Sequence, residues 1–261
     1  MKRSARWTRA ASNLLLGVAV GLLSYYGLTT LLTRVAQEGL RNTYADVLAF
    51  AAEDPGESLE TSAGPVLDFD GWAEQDQVYW TTLTEGEAFA RIVIPRIELD
   101  AIVMNGVRPM DLRQGPGWID WTNLPGPTGT CGISGHRTTY GAPFRRVDEL
   151  KPGDTIDLYS PYRRYRYEVT GTLIVLPSQT EVVDPTEEPT LTLTACHPPY
   201  SAAYRIAVQA KLVDVRRIEG LEGATKALSP AVVPLTCGVL LTLFLMQKSG
   251  TQGVGKVFGP C

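Results

Sequence analysis

Apolar positions fall along this chain in three textures. Near the start, "AASNLLLGVAVGLLSYYGLTTLLT", Ala10 to Thr33, carries no charged residue. At roughly 24 residues it is long enough, as a helix, to cross ~30 Å of hydrocarbon. After Ala88 the pattern changes to short alternating runs broken by Gly and Pro: "ARIVIPRIELDAIVMNGV", "GTCGISGH", "DTIDLYSP", "RYRYEVTGTLIVL", "TLTLTAC" and "YRIAVQAKLVDV". Side chains alternate between the two faces of a strand, so each run predicts one. Toward the end, "ALSPAVVPLTCGVLLTLFLMQ" is again uncharged between Lys226 and Lys248.

These textures divide the chain. Residues 1–9, with Lys2, Arg3, Arg6 and Arg9, form a basic tail that the positive-inside tendency keeps in the cytoplasm. Residues 10–34 are expected to be an uncleaved membrane anchor, because the run is long and no small-residue cleavage site follows it. Within 35–88, "VAQEGLRNTYADVLAF" continues the helix and "EDPGESLETSAGP" has the composition of a flexible linker. "DFDGWAEQDQVYWTTL" then predicts a short helix whose Trp72, Tyr79 and Trp80 dock on the domain that follows. That domain, 89–217, has two further helical pieces, "PMDLRQGPG" and "FRRVDELKPGD", among its strands. Many short strands with few helices predict a mainly β fold, a closed antiparallel β-barrel. A linker over 218–226 leads to a second transmembrane helix over 227–247 and a cytoplasmic tail over 248–261.

Composition narrows the chemistry. The chain is 44% apolar with a formal net charge of -4, which fits one globular domain with appendages and offers no basic surface for nucleic acid. Of four cysteines, Cys237 lies in the second apolar run and Cys261 is the last residue. Cys131 and Cys196 remain on the β domain, as a bridge or with one kept as a free thiol.

Strand parity sorts the polar residues. In "LTLTAC", Leu191, Leu193 and Ala195 share one face, and Thr192, Thr194 and Cys196 the other. Cys131 and Ile133 likewise oppose Ser134 and His136, and Ile206, Val208 and Ala210 oppose Arg205. The chain has only two histidines. His197 has the opposite parity to Cys196 and is assigned to the loop that caps the strand. Cys196, His136 and Arg205 each stand at a strand end, clear of the apolar stripe. A thiolate nucleophile, an imidazole that exchanges protons and a cation that meets a developing oxyanion form a set for acyl transfer through a thioester. The competing assignments are an inert thiol, a Cys131–Cys196 bridge, a zinc-binding module using Cys131, His136, Cys196 and His197, which parity disfavours, and a non-catalytic scaffold, which the intact Cys, His and Arg trio disfavours. Glu181, Asp184, Glu187 and Glu188 read as a solvated acidic loop rather than a calcium site.

"GISGHRTTYGAPFRRVDELKPGD" followed by "LTLTACHPPYSAAYRIAVQAKL" resembles the sortases, membrane-anchored cysteine transpeptidases, over about Phe89 to Val215. The resemblance implies a sortase-like barrel with Cys196 as nucleophile, His136 as general acid and base, and Arg205 as the oxyanion and substrate-positioning group. Thr194, Tyr140 and Tyr200 are expected to bind substrate. No cofactor or metal is implied. The implied partners are surface proteins carrying a Leu-(Ala/Pro)-X-Thr-Gly sorting signal, and an amine on a peptidoglycan precursor or on a pilin. The implied location is the cell membrane, with the catalytic domain outside. The Cys-His-Pro step and the His-Arg-Thr-Thr-Tyr-Gly-Ala-Pro-Phe run are most similar to class E. Pro199 and Tyr200, however, replace the basic and aromatic pair of that branch. The second apolar run is reminiscent of pilin-polymerising class C.

Overall fold

The computed structural model describes residues 2–43 and 65–218. The linker expected over 53–65, apart from Pro65, and the second span and last tail lie outside the described residues. Helix α1 (Lys2–Thr43) contains a segment long and apolar enough to cross a membrane. Its side chains from Asn13 to Leu28 are all exposed, and those on one face from Thr29 onward are covered.

Eight strands close into a barrel: β1 (Ala88–Ile94), β2 (Leu99–Asn105), β3 (Gly117–Trp118), β4 (Thr130–Ser134), β5 (Thr155–Tyr159), β6 (Arg163–Val175), β7 (Thr190–His197) and β8 (Tyr204–Arg217). Their order is β1-β2-β3-β4-β7-β8-β6-β5, with β5 pairing back onto β1. The first alternating run is two strands rather than one. Pro95, which has no N–H for the ladder, opens a 3-10 turn, and Glu98 at φ 55 reverses the chain. The ladders are antiparallel except for two parallel pairs, β2–β3 and β4–β7. Alternate residues such as Ile92, Ile133, Leu193 and Val208 are fully buried and fill the barrel.

The segment before β1 is a strap across one end of the barrel. A short π turn (Ala73–Gln77) leads into α2 (Val78–Thr82), and α3 (Pro109–Leu112) follows β2. As expected, the strap aromatics dock. Trp80 donates to the Phe89 carbonyl at 2.8 Å and stacks on its ring, Tyr79 donates to Ala88 O at 2.9 Å, and Trp72 donates to Pro125 O at 3.0 Å. Beneath them Arg163, fully buried, pairs with fully buried Asp76 and donates to Asp68 O at 3.1 Å and Gln75 Oε1 at 3.0 Å. Burial pushes the Asp76 carboxyl up, opposed by its bonds from Ser160 and Arg163.

Candidate active site

The parallel pairing of β4 with β7 assembles the site. Gly132 lies opposite Thr192 and Ser134 opposite Thr194, and Gly135 N donates to Thr194 O at 3.0 Å. Two residues beyond Ser134 and Thr194 come His136 and Cys196. On the other side of β7, Cys196 lies directly opposite Arg205 of β8. Cys196 and Arg205 are thus a cross-strand pair, and His136 follows two residues after the last β4–β7 pair, on the segment that leaves β4 beside β7. Residues in register share a face. Cys196, His136 and Arg205 are all half-buried, whereas Cys131 and Ile133, of opposite parity on β4, are fully buried.

The loop after β4 is shaped by a glycine. A Cβ on Gly135 would come within 2.6 Å of the Phe144 ring, so only glycine lets that fully buried ring seat there. Phe144 N then donates to His136 O at 3.0 Å and closes the loop. Tyr140, held at φ 51, sets its ring 5.0 Å from the His136 ring, and the Arg113 guanidinium lies 5.6 Å from the centre of Tyr140. Burial, and then the Arg113 charge, lower the His136 pKa below its ordinary 6.5.

Arg137 and His197, the neighbours of the two central residues, meet each other. Arg137 is 2% exposed. Its guanidinium lies 2.9 Å from His197 Nδ1 and also pairs with Asp148. A guanidinium only donates, so His197 Nδ1 accepts. His197 is thus not a loop residue: it ends β7, and its ring is held by Arg137. A cis His197–Pro198 bond then opens the loop to β8.

The remaining candidates fall into place around this line. Thr194 is half-buried on the face of Cys196, and Tyr200 is 87% exposed on the loop at φ 65. Arg205 Nη1 donates to the carbonyls of Ala202 and Tyr204, each at 3.1 Å, so part of the guanidinium steadies the loop. Cys131 and Cys196 are both free thiols, and burial pushes the Cys131 thiol far up. With Cys131 in the core and His197 on Arg137, the four ligands of the zinc reading do not converge. Glu181, Asp184, Glu187 and Glu188 are exposed. Among the described residues no group of three His, Cys, Asp or Glu is placed to hold a metal ion. Arg113, Arg137 and Asp148 were not singled out in the sequence. For Arg137 a signal existed, since parity turns it away from His136 into the protein, where a guanidinium requires partners.

Fold and site together define a closed, mixed β-barrel in which Cys196 faces Arg205 across β7 and β8, and His136 leaves the neighbouring strand beyond its last pair with β7. Residues 92–213 match the model of the sortase domain. The chain is 28% identical over 147 residues to Sortase SrtE1 of Streptomyces coelicolor, covering 50% of this chain and 42% of that protein. It superposes on the SrtF sortase from Corynebacterium diphtheriae with a TM-score of 0.51 at 27% identity, over 53% of this chain and 91% of that one. Residues 92–213 of the chain are thus a sortase domain. A second match is distinct: residues 215–261 fit the model of the K+ potassium transporter integral membrane domain. Over 43 residues the chain is 65% identical to the probable potassium transport system protein Kup 2 of Syntrophobacter fumaroxidans, which is 16% of this chain and 7% of that protein. The chain spans less than half the length of either of these curated relatives.

Proposed function

We propose that the chain is a membrane-anchored transpeptidase that cleaves a Leu-(Ala/Pro)-X-Thr-Gly signal between Thr and Gly and joins the new carboxyl end to an amine of the cell wall. The observation that supports this reading is the pairing of Cys196 with Arg205 across β7 and β8, with His136 two residues past the last pair of the neighbouring β4–β7 ladder. In the first half-reaction the Cys196 thiolate attacks the threonine carbonyl carbon. The charge that develops on its oxygen is met by the Arg205 guanidinium, which has five N–H donors and uses Nη1 on the loop. His136 gives a proton to the departing glycine amine as the C–N bond breaks, leaving a thioester on Cys196. In the second half-reaction the acceptor amine attacks the thioester, His136 takes its proton, an amide forms, and the thiolate is released.

Thr194, on the same face as Cys196, and Tyr140, against His136, flank the path of the peptide, with Tyr200 at its loop edge. The helix α1 supplies the anchor, and the basic residues before it favour an amino terminus in the cytoplasm with the barrel outside. The C-terminal apolar run, which pointed toward pilin-polymerising relatives, is instead similar to part of a potassium transporter. That weakens the pilin reading. The test uses the full chain in detergent with two fluorogenic peptides, one carrying Leu-Ala-X-Thr-Gly and one Leu-Pro-X-Thr-Gly. Cleavage at Thr–Gly that disappears in Cys196→Ala is the expected result. Failure to cleave either peptide, with a folded barrel and an added amine acceptor, rejects this substrate class.

A further inference from the structure

The described part of α1 consists of two unlike halves. From Asn13 to Leu28 every side chain is exposed; from Thr29 one face is covered by the barrel, with Thr29 8% and Thr33 6% exposed. The docked face follows an i, i+4 ridge. Tyr25 OH lies 3.4 Å from Tyr140 OH. Thr33 donates to Arg113 O at 2.8 Å. Gln37 donates to Ile102 O at 3.1 Å and Gln114 O at 2.8 Å, and accepts from Ile102 N at 2.8 Å. Arg41 pairs with Asp100 at 3.0 Å. Leu40 adds an apolar contact with Ala88 and Ile102. The barrel makes room for this ridge with glycine: a Cβ on Gly115 would meet Gln37 Nε2 at 2.4 Å, and one on Gly141 would meet Thr33 Cγ2 at 3.0 Å.

The change of character falls where a bilayer would end. Ala10 to Leu28 as a helix spans about 28 Å at 1.5 Å per residue, against ~30 Å of hydrocarbon. Tyr25 and Tyr26 then lie in the interfacial layer, where tyrosine is enriched. Tyr25 is tied to the site, since it touches Tyr140, which packs on His136, and Tyr26 reaches the loops beside it. Tyr26 lines a cavity of about 330 Å³ together with Thr138 and, from the loop after β7, Pro199 and Tyr200.

We infer that the outer part of α1, from Tyr25 to Arg41, is a rigid arm of the barrel domain that holds the loop after His136 and seats that loop and the loop after β7 on the lipid headgroup layer. The inference rests on the proposed insertion of α1. A free tether would leave the barrel to wander above the membrane. Three side-chain contacts from Gln37 to backbone groups and a glycine-lined seat describe a fixed joint instead.

The test takes the full chain in phosphatidylglycerol–phosphatidylcholine vesicles containing headgroup-labelled quencher lipid. A fluorophore is placed on Tyr200→Cys in a Cys196→Ala, Cys237→Ser, Cys261→Ser background; Cys131 is buried. Strong quenching is expected. It falls several-fold when Thr33→Ala, Gln37→Ala and Leu40→Ala are combined, and backbone amide exchange over 136–144 rises while β7 and β8 stay protected. Floating protein with an unquenched label, or quenching and exchange unchanged in the triple variant, overturns the inference while leaving the proposed reaction intact. Protein that does not float with the vesicles overturns the insertion on which both the anchor and the arm depend.

Discussion

At the scale of single residues, the environment of His136 sets a measurable property. Burial first, and the Arg113 charge second, disfavour the imidazolium. With only two histidines in the chain, ring-carbon NMR isolates the His136 signal. His136 is expected to titrate below 6.5 and to move upward, though not fully to 6.5, in Arg113→Gln, since burial remains. A midpoint at or above 6.5 in the unaltered chain contradicts this account. The linkage has a definite sign. A depressed histidine pKa contributes stability that is intact above the unfolded value of about 6.5 and is lost as pH falls through the folded value. Much of the residue-scale picture was legible in the sequence, because parity depends only on neighbours: it turned Cys131 inward and Cys196, His136 and Arg205 away from the core. The Arg137–His197 contact was not legible, since the two residues are sixty positions apart and meet only through the β4–β7 pairing.

At the scale of elements, the strap before β1 is fastened by a buried charge pair. Asp76→Ala leaves the Arg163 guanidinium buried without its carboxylate, a change that costs about 3–5 kcal/mol in comparable sites. Denaturant unfolding of the full chain is expected to show a loss of that order, with much of it recovered when Arg163→Met is added. A loss below about 1 kcal/mol in the single variant, typical of exposed pairs, would place the strap outside the folded unit. The strands themselves were readable from their alternation and Gly/Pro punctuation. The break at Pro95 was carried by an apolar run on both sides, which hid the hairpin. The parallel pairing of β4 with β7 leaves no local mark either. A hairpin announces itself by its turn, whereas this pair is separated by β5, β6 and the acidic loop.

At the scale of the whole molecule, among the described residues, the barrel, strap and docked arm make one body, and His136, Cys196 and Arg205 lie at the end of the barrel nearest to Tyr25 and Tyr26. The arm was hidden in the sequence because Thr29, Thr33 and Gln37 read as polar interruptions of an apolar helix. Their four-residue spacing is the trace of the face that the barrel covers. The second apolar run, similar to a potassium transporter segment, lies outside the described residues. The central claim is that Cys196 carries the acyl group. Mixing the full chain with a Leu-Ala-X-Thr-Gly peptide, quenching in acid and measuring intact mass tests it most directly. A transient species heavier by the fragment ending in threonine is expected, mapped to the peptide containing Cys196, discharged by hydroxylamine and absent in Cys196→Ala. Cleavage with no such adduct, or an adduct on another residue, would contradict it.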